Sequence, residues 1–184
     1  MESEQSYYPL GREYDVTRVI PPVPEHCTSI DAGPVRFVVE SRVLSAHAVD
    51  ACLADAGMQR TELEAELDGV GASLHVYGAT DGVEYLRFDC FDHEPHYHYF
   101  RYADGINQAC RIDEHAIGDP IAWTVESVRT RLSAMLTYTG AQEIAAEVAA
   151  EPGPIYAALT RVEELLAAAE AAVRRTPSAD APII

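Results

Sequence analysis

The sequence predicts an α+β domain: a four- to five-stranded antiparallel β-meander with helices packed on one face and a C-terminal amphipathic helix. Two features carry that expectation. From Ala72 to Asp113 apolar and polar residues alternate with a period of two, broken by turn-forming clusters. From Asp119 onward the apolar residues recur instead at helical spacing.

Residues 1–33 carry "SYYPLG" and "VIPPVPEH", whose prolines forbid helix and favour an extended, surface-hugging arm. "VRFVV" (Val35 to Val39) is a β-rich run and the first strand expected of the core, residues 34–151. Ser45 then caps a helix with Val49, Cys52, Leu53 and Ala56 on one side, stopped by Gly57, and Leu63 and Leu67 mark a shorter helical piece.

The meander consists of "ASLHVYG", "VEYLRFDCF", "HYHYFRY" and "NQACRID", joined by "TDG", "DHEP" and "ADGI". Asp119 as N-cap and Pro120 in the first turn start the next helix, whose apolar stripe is Ile121, Val125, Val128, Leu132 and Leu136, before Gly140. A short helix covers Gln142 to Ala150. After "EPGP", residues 152–175 form a last helix with the seam Ile155, Leu159, Val162, Leu166 and Val173, available for packing or self-association. Residues 176–184 read as a flexible tail.

Because side chains alternate across a strand, turn lengths decide which residues share a face. A three-residue "TDG" loop with Gly82 left-handed sets Leu74 opposite Phe88 and Val76 opposite Leu86. A four-residue "DHEP" loop sets Phe91 opposite His96, Cys90 opposite Tyr97 and Asp89 opposite His98. A two-residue turn at Asp104 and Gly105 sets Tyr97 opposite Ile112. These choices agree on a core face of Leu74, Val76, Leu86, Phe88, Cys90, Tyr97, Tyr99, Cys110 and Ile112. The opposite face then gathers Ser73, His75, Arg87, Asp89, His96, His98, Arg111 and Asp113, with the aromatics Tyr77, Tyr85, Phe91, Phe100 and Tyr102.

Three chemistries fit that surface. His96 and His98 form an H-x-H pair whose imidazoles project from one side of a strand about 7 Å apart, so with Asp89 they can chelate a divalent metal such as zinc; Asp113 would be a further ligand or orienting group. Alternatively, Asp89–His98 and Asp113–His96 are carboxylate–imidazole dyads for acid–base catalysis. Arg87 and Arg111, with His75, Tyr85 and Tyr102, would hold an anionic ligand. Antiparallel sheets also leave one face wet with no chemical duty, yet five aromatics here call for a cover: the proline-rich arm, a second subunit or a ligand.

The charge of −17 repels phosphate backbones, and no basic groove offsets it, which argues against nucleic acid. All basic side chains are arginine. Cys27, Cys52, Cys90 and Cys110 form no C-x-x-C pair and read as reduced thiols; with no membrane span and an acidic start, a cytoplasmic setting is expected. His47 and His115 read as solvated or satisfied, and His26–Cys27, which could supply ligands from the arm, reads as a chance adjacency.

The strings "LRFDCFDHEPHYHY" (Leu86 to Tyr99) and "GDPIAWTVESVRTRLSAMLTYTGA" (Gly118 to Ala141) resemble an uncharacterised actinobacterial domain family of unknown function. The resemblance implies that meander and following helix form one module, and it brings no site residues. The expected function is a non-enzymatic accessory or binding protein, oligomeric or partnered, that uses the His/Arg/aromatic face for a protein, an anion or a metal. The alternative is a small metal-dependent or acid–base enzyme of the hydrolase kind on the same face.

Overall fold

The computed structural model describes residues 13–15, 20–44, 50, 54 and 69–175. One fully antiparallel sheet is built from strands β2 (Cys27–Ala32), β3 (Val35–Leu44), β4 (Gly69–Gly78), β5 (Glu84–Phe91), β6 (His96–Arg101) and β7 (Ile106–Arg111). A three-residue strand β1 (Glu13–Asp15) joins the outer edge of β7, giving seven strands in the order β1-β7-β6-β5-β4-β3-β2. The expectation of four to five strands is therefore corrected. Cys27–Ala32, inside the stretch expected as an arm, pairs residue for residue with β3, and β3 runs on through "ESRVL" to Leu44.

Four helices follow: α1 (Glu114–Ile117), α2 (Pro120–Thr139), α3 (Gln142–Ala150) and α4 (Gly153–Arg175). Asp119 caps α2 by accepting from the Ile121 and Ala122 amides, and Gly140 ends it in the left-handed conformation at φ 94°. α2 packs on β5 and β6, and α4 on β3 and β4. Between them lies one core: Phe37, Leu74, Leu86, Phe88, Val128, Leu136, Leu159 and Leu166 are all buried. The predicted seam Ile155, Leu159, Val162, Leu166 and Val173 is buried against the sheet and α2. Trp123 is partly buried, its ring 5.2 Å from that of Tyr97.

The helix expected from Ser45 to Gly57 lies outside the described residues apart from Asp50 and Ala54, both helical, as do the piece around Leu63 and Leu67 and the tail.

Pairing of β4 with β5 matches the predicted register over Ser73–Val76, with Leu74 opposite Phe88 and Val76 opposite Leu86. A bulge follows, so Tyr77 pairs with Glu84 and not with Tyr85. The next two hairpins differ from expectation by two residues each. Asp89 pairs with His96 and Phe88 with Tyr97; Tyr97 pairs with Cys110 and Tyr99 with Gln108. The first shift arises because the connection from Asp89 to His96 holds Glu94 left-handed at φ 51° and Pro95, which lacks an amide donor. The second arises because Tyr102–Asp104 form a 3₁₀ turn closed by left-handed Gly105, a longer loop than a two-residue turn. An even shift preserves which face each side chain takes.

Candidate metal centre

Row by row across the face away from the helices, Glu40–Ser73–Asp89–His96–Arg111 lie side by side on five strands, and Val38–His75–Arg87–His98–Ala109 form the next row. This face is not wet. Glu40, Ser73, His75, Arg87, Asp89 and Arg42 are each buried to 3 % exposure or less.

Two polar clusters share the face. In the first, Glu40 pairs with Arg42 at 2.5 Å, and His75 is held between Glu40 (Nε2 to Oε2, 3.2 Å) and Glu84 (Nδ1 to Oε1, 2.7 Å). Arg87 donates to both Glu84 oxygens at 2.8 Å, a bidentate fork. The bulge at Tyr77 turns Glu84 into this cluster, while Tyr85 packs against the core and donates its hydroxyl to Asp81. Two further guanidinium donors reach the N-terminal segment: Arg42 Nη2 (2.7 Å) and Arg87 Nη1 (2.9 Å) both donate to the Ile20 carbonyl, and the Val23 amide donates to Glu40 Oε1 at 2.7 Å. Burial alone would raise the Glu40 and Glu84 pKa values. Hydrogen bonds from His75 and the charges and hydrogen bonds of Arg42 and Arg87 outweigh it and hold both below the usual carboxylate range.

The second cluster is Asp89, His96 and His98, whose ligand atoms lie within 4.8 Å of one another. Asp89 Oδ2 stands 3.4 Å from Nε2 of His96 and 3.4 Å from Nε2 of His98. That is long for a charge-assisted hydrogen bond. It equals the edge of a tetrahedron about a cation with bonds of about 2.0–2.1 Å, namely about 3.3–3.4 Å.

The far side of each group is tied down. Ser73 Oγ donates to Asp89 Oδ1, His96 Nδ1 donates to the Glu94 carbonyl at 2.9 Å, and His98 Nδ1 donates to Asn107 Oδ1 at 2.9 Å. With both Nδ1 atoms serving as donors, each neutral ring turns a lone pair toward the Asp89 carboxylate, so a proton or a metal ion has to lie between them. Burial lowers the His96 pKa and the neighbouring His98 charge adds to that, against the raising effect of Asp89. Burial would raise Asp89, but when a proton lies between it and the rings the hydrogen bond from His98 and the charges of His96, Arg42 and Arg87 hold it well below the usual range. His98 also stacks parallel on Phe100 at 5.7 Å, and Phe91 meets His96 edge-on at 5.7 Å, so the rings have little freedom to swing. The side chains of Asp89, His98 and His96 are 3 %, 11 % and 24 % exposed, which opens the cluster to solvent past His96.

The structure brings together His96, His98 and Asp89 and leaves the other sequence candidates elsewhere. Asp113 accepts from the His115 amide as the N-cap of α1, so it is neither ligand nor dyad partner. His75 belongs to the first cluster, Arg111 pairs with Glu94 at 3.0 Å, and Tyr102 is 60 % exposed in its turn. Sequence reasoning missed Glu40, Arg42, Glu84, Glu94 and Asn107. Continuing the alternation past Val39 would have placed Glu40 and Arg42; Asn107 is opposite Phe100 and visible only once the register is known.

The arrangement defines a domain with a buried polar sheet face and a cluster of one aspartate and two histidines that could hold a metal ion. The chain belongs to the family described as a domain of unknown function, DUF7700, whose model matches residues 29–166. No curated protein and no solved structure matches it significantly.

Proposed function

We propose that the chain is a metal-binding protein that holds a divalent transition metal, zinc in the first instance, through Asp89 Oδ2, His96 Nε2 and His98 Nε2. One observation carries the reading: all three candidate ligands have their other polar atom fixed by a separate partner, Ser73, Glu94 and Asn107, which leaves three acceptors facing one point. Two imidazoles and one carboxylate suit Zn²⁺ or Fe²⁺.

The anionic-ligand reading loses support because Arg87 and Arg111 are paired with Glu84 and Glu94. The acid–base dyads lose Asp113 to the α1 cap, and Ser73 donates to Asp89 and not to a histidine. The seam of α4 is in the core, so assembly through it is not part of the proposal. A second reading, a metal-dependent enzyme, draws on the same geometry, since three protein ligands leave a position for water or substrate. Cys27, Cys90 and Cys110 form no disulfide, and no described helix is long and apolar enough to cross a membrane; both fit the proposed cytoplasmic setting.

The test is metal analysis of untagged protein after dialysis against zinc or, without oxygen, ferrous iron. One equivalent is expected, and His96→Ala/His98→Ala should reduce it below a tenth while retaining the far-UV spectrum. Retention of the ion by the double variant, or no ion on the parent chain, overturns the reading.

A further inference from the structure

The first polar cluster has a property its charges alone do not require: its outward-facing donors and acceptors are used to hold a piece of main chain. Two buried guanidiniums from different strands, Arg42 on β3 and Arg87 on β5, converge on the single carbonyl of Ile20, and three residues on Glu40 takes the amide of Val23. The side chains of the held segment do little of this. Pro21 and Val23 are exposed, Val23 to 43 %. Pro21 and Pro22 restrict the segment, and Pro24, which opens a 3₁₀ turn, holds Val23 extended before it, so little conformational entropy is lost when Ile20–Val23 docks.

β1 lies on the outer edge of β7 and β2 on the outer edge of β3, and Ile20, between them in sequence, meets the polar face at β5 and β3. A further asymmetry points the same way. Every side chain of the groove, Glu40, Arg42, His75, Glu84 and Arg87, falls inside the family domain at residues 29–166, whereas the segment it holds lies before residue 29.

We infer that this groove is a binding site for an extended, proline-containing peptide, and that Ile20–Val23 is a tethered copy of such a ligand held in cis. Recognition is of main chain: a carbonyl offered to two guanidiniums and an amide three residues later offered to a carboxylate, with proline between them to keep the two in phase. A partner with the same spacing in an extended segment makes the same hydrogen bonds once the tethered copy leaves. A short tether supplies an effective concentration of about 1 mM, so the intact chain resists a free peptide below that range.

The experiment uses the full chain in the presence of EDTA, so that the metal reading can fail without touching this one. Val23→Pro removes only the amide donor to Glu40 at a position whose φ of −87° lies near that of proline. A fluorescent peptide of residues 18–26 is titrated against both chains by anisotropy. The variant is expected to bind it at least tenfold more tightly than the parent, and the same peptide carrying the Val23→Pro change is expected to bind at least fivefold more weakly. Equal binding to the two chains, with circular dichroism showing the variant folded, overturns the proposal. Should the variant not fold, a protease site inserted between His26 and Cys27 and cut after folding gives the second measurement. The 1–26 fragment should stay bound through gel filtration and be displaced by excess peptide; its loss without rebinding, or its refusal to exchange, is equally fatal.

Discussion

Two clusters of buried polar side chains lie a strand's width apart on one sheet face, and they differ in how their hydrogen bonds close. Around Glu84 and Arg87 donors meet acceptors in pairs: a bidentate guanidinium, an imidazole between two carboxylates, a carbonyl under two arginines. Around Asp89 the two Nε2 atoms and Oδ2 are all acceptors when the rings are neutral, each Nε2 3.4 Å from Oδ2, with their donors turned outward. In the first cluster one buried donor, Arg42 Nε, has no partner among the described residues, and the carboxylates of Glu40 and Glu84 are both paired. In the second, three acceptors meet with no donor of their own between them, and that is the place the proposed cation would take.

Breaking the closed cluster should have the largest effect. Arg87→Met leaves the Glu84 carboxylate buried beside His75 and the Ile20 carbonyl held by Arg42 alone, and removing one member of a buried ion pair costs about 3–5 kcal/mol. Urea denaturation should show that loss in the midpoint at constant slope. A loss under 1 kcal/mol would mean that the network is not closed in solution.

Acid should act on the same cluster next. Glu40 and Glu84 have folded pKa values below the unfolded value of 4.5, so the unfolded chain takes up their protons first. Their contribution is fully present above about pH 5 and is lost as pH falls through the depressed folded values. Thermal midpoints measured from pH 6 down to pH 3 should fall below pH 4.5, and Glu84→Gln should flatten that slope while lowering the plateau.

In the open cluster the sharper probe is Asn107→Leu, which removes the acceptor of His98 Nδ1 without touching a ligand. Loss of such an orienting partner weakens a metal site by about 10–100-fold. Competition with a chromophoric chelator should register that change with stoichiometry kept; unchanged affinity would remove Asn107 from the site.

The smallest effect is expected from Glu94→Gly. It relieves a left-handed non-glycine residue at φ 51° but loses the pair with Arg111, and the backbone carbonyl that holds His96 remains. Stability should move by less than about 1 kcal/mol and metal affinity by less than threefold. A large drop in affinity would show that the side chain itself serves the site.

How much of this was legible in the sequence depends on the range of the interaction. The caps of α2, at Asp119 and Gly140, and the stripe from Ile121 to Leu136 were readable because they depend on neighbours within one or two turns. The cluster of Asp89, His96 and His98 was readable as a set, because H-x-H fixes two side chains on one face whatever the loop does, and Asp89 kept its face through an even shift. Its pairing was not: Asp89 lies opposite His96, and His98 opposite Arg87, because left-handed Glu94 and Pro95 lengthen the connection. Glu84 was hidden by the bulge at Tyr77, a backbone irregularity that composition does not announce.

By itself the amino-acid order determined which side of the sheet each residue takes, outside the bulge that exchanges Glu84 and Tyr85, since alternation is a property of the extended backbone and survives any slip of two. Only the tertiary structure decided that the polar side is buried, which of its groups answer one another, and that Ile20 closes over Arg87 from 67 residues away. Those outcomes depend on loop conformations and on contacts between distant segments, which local periodicity does not encode.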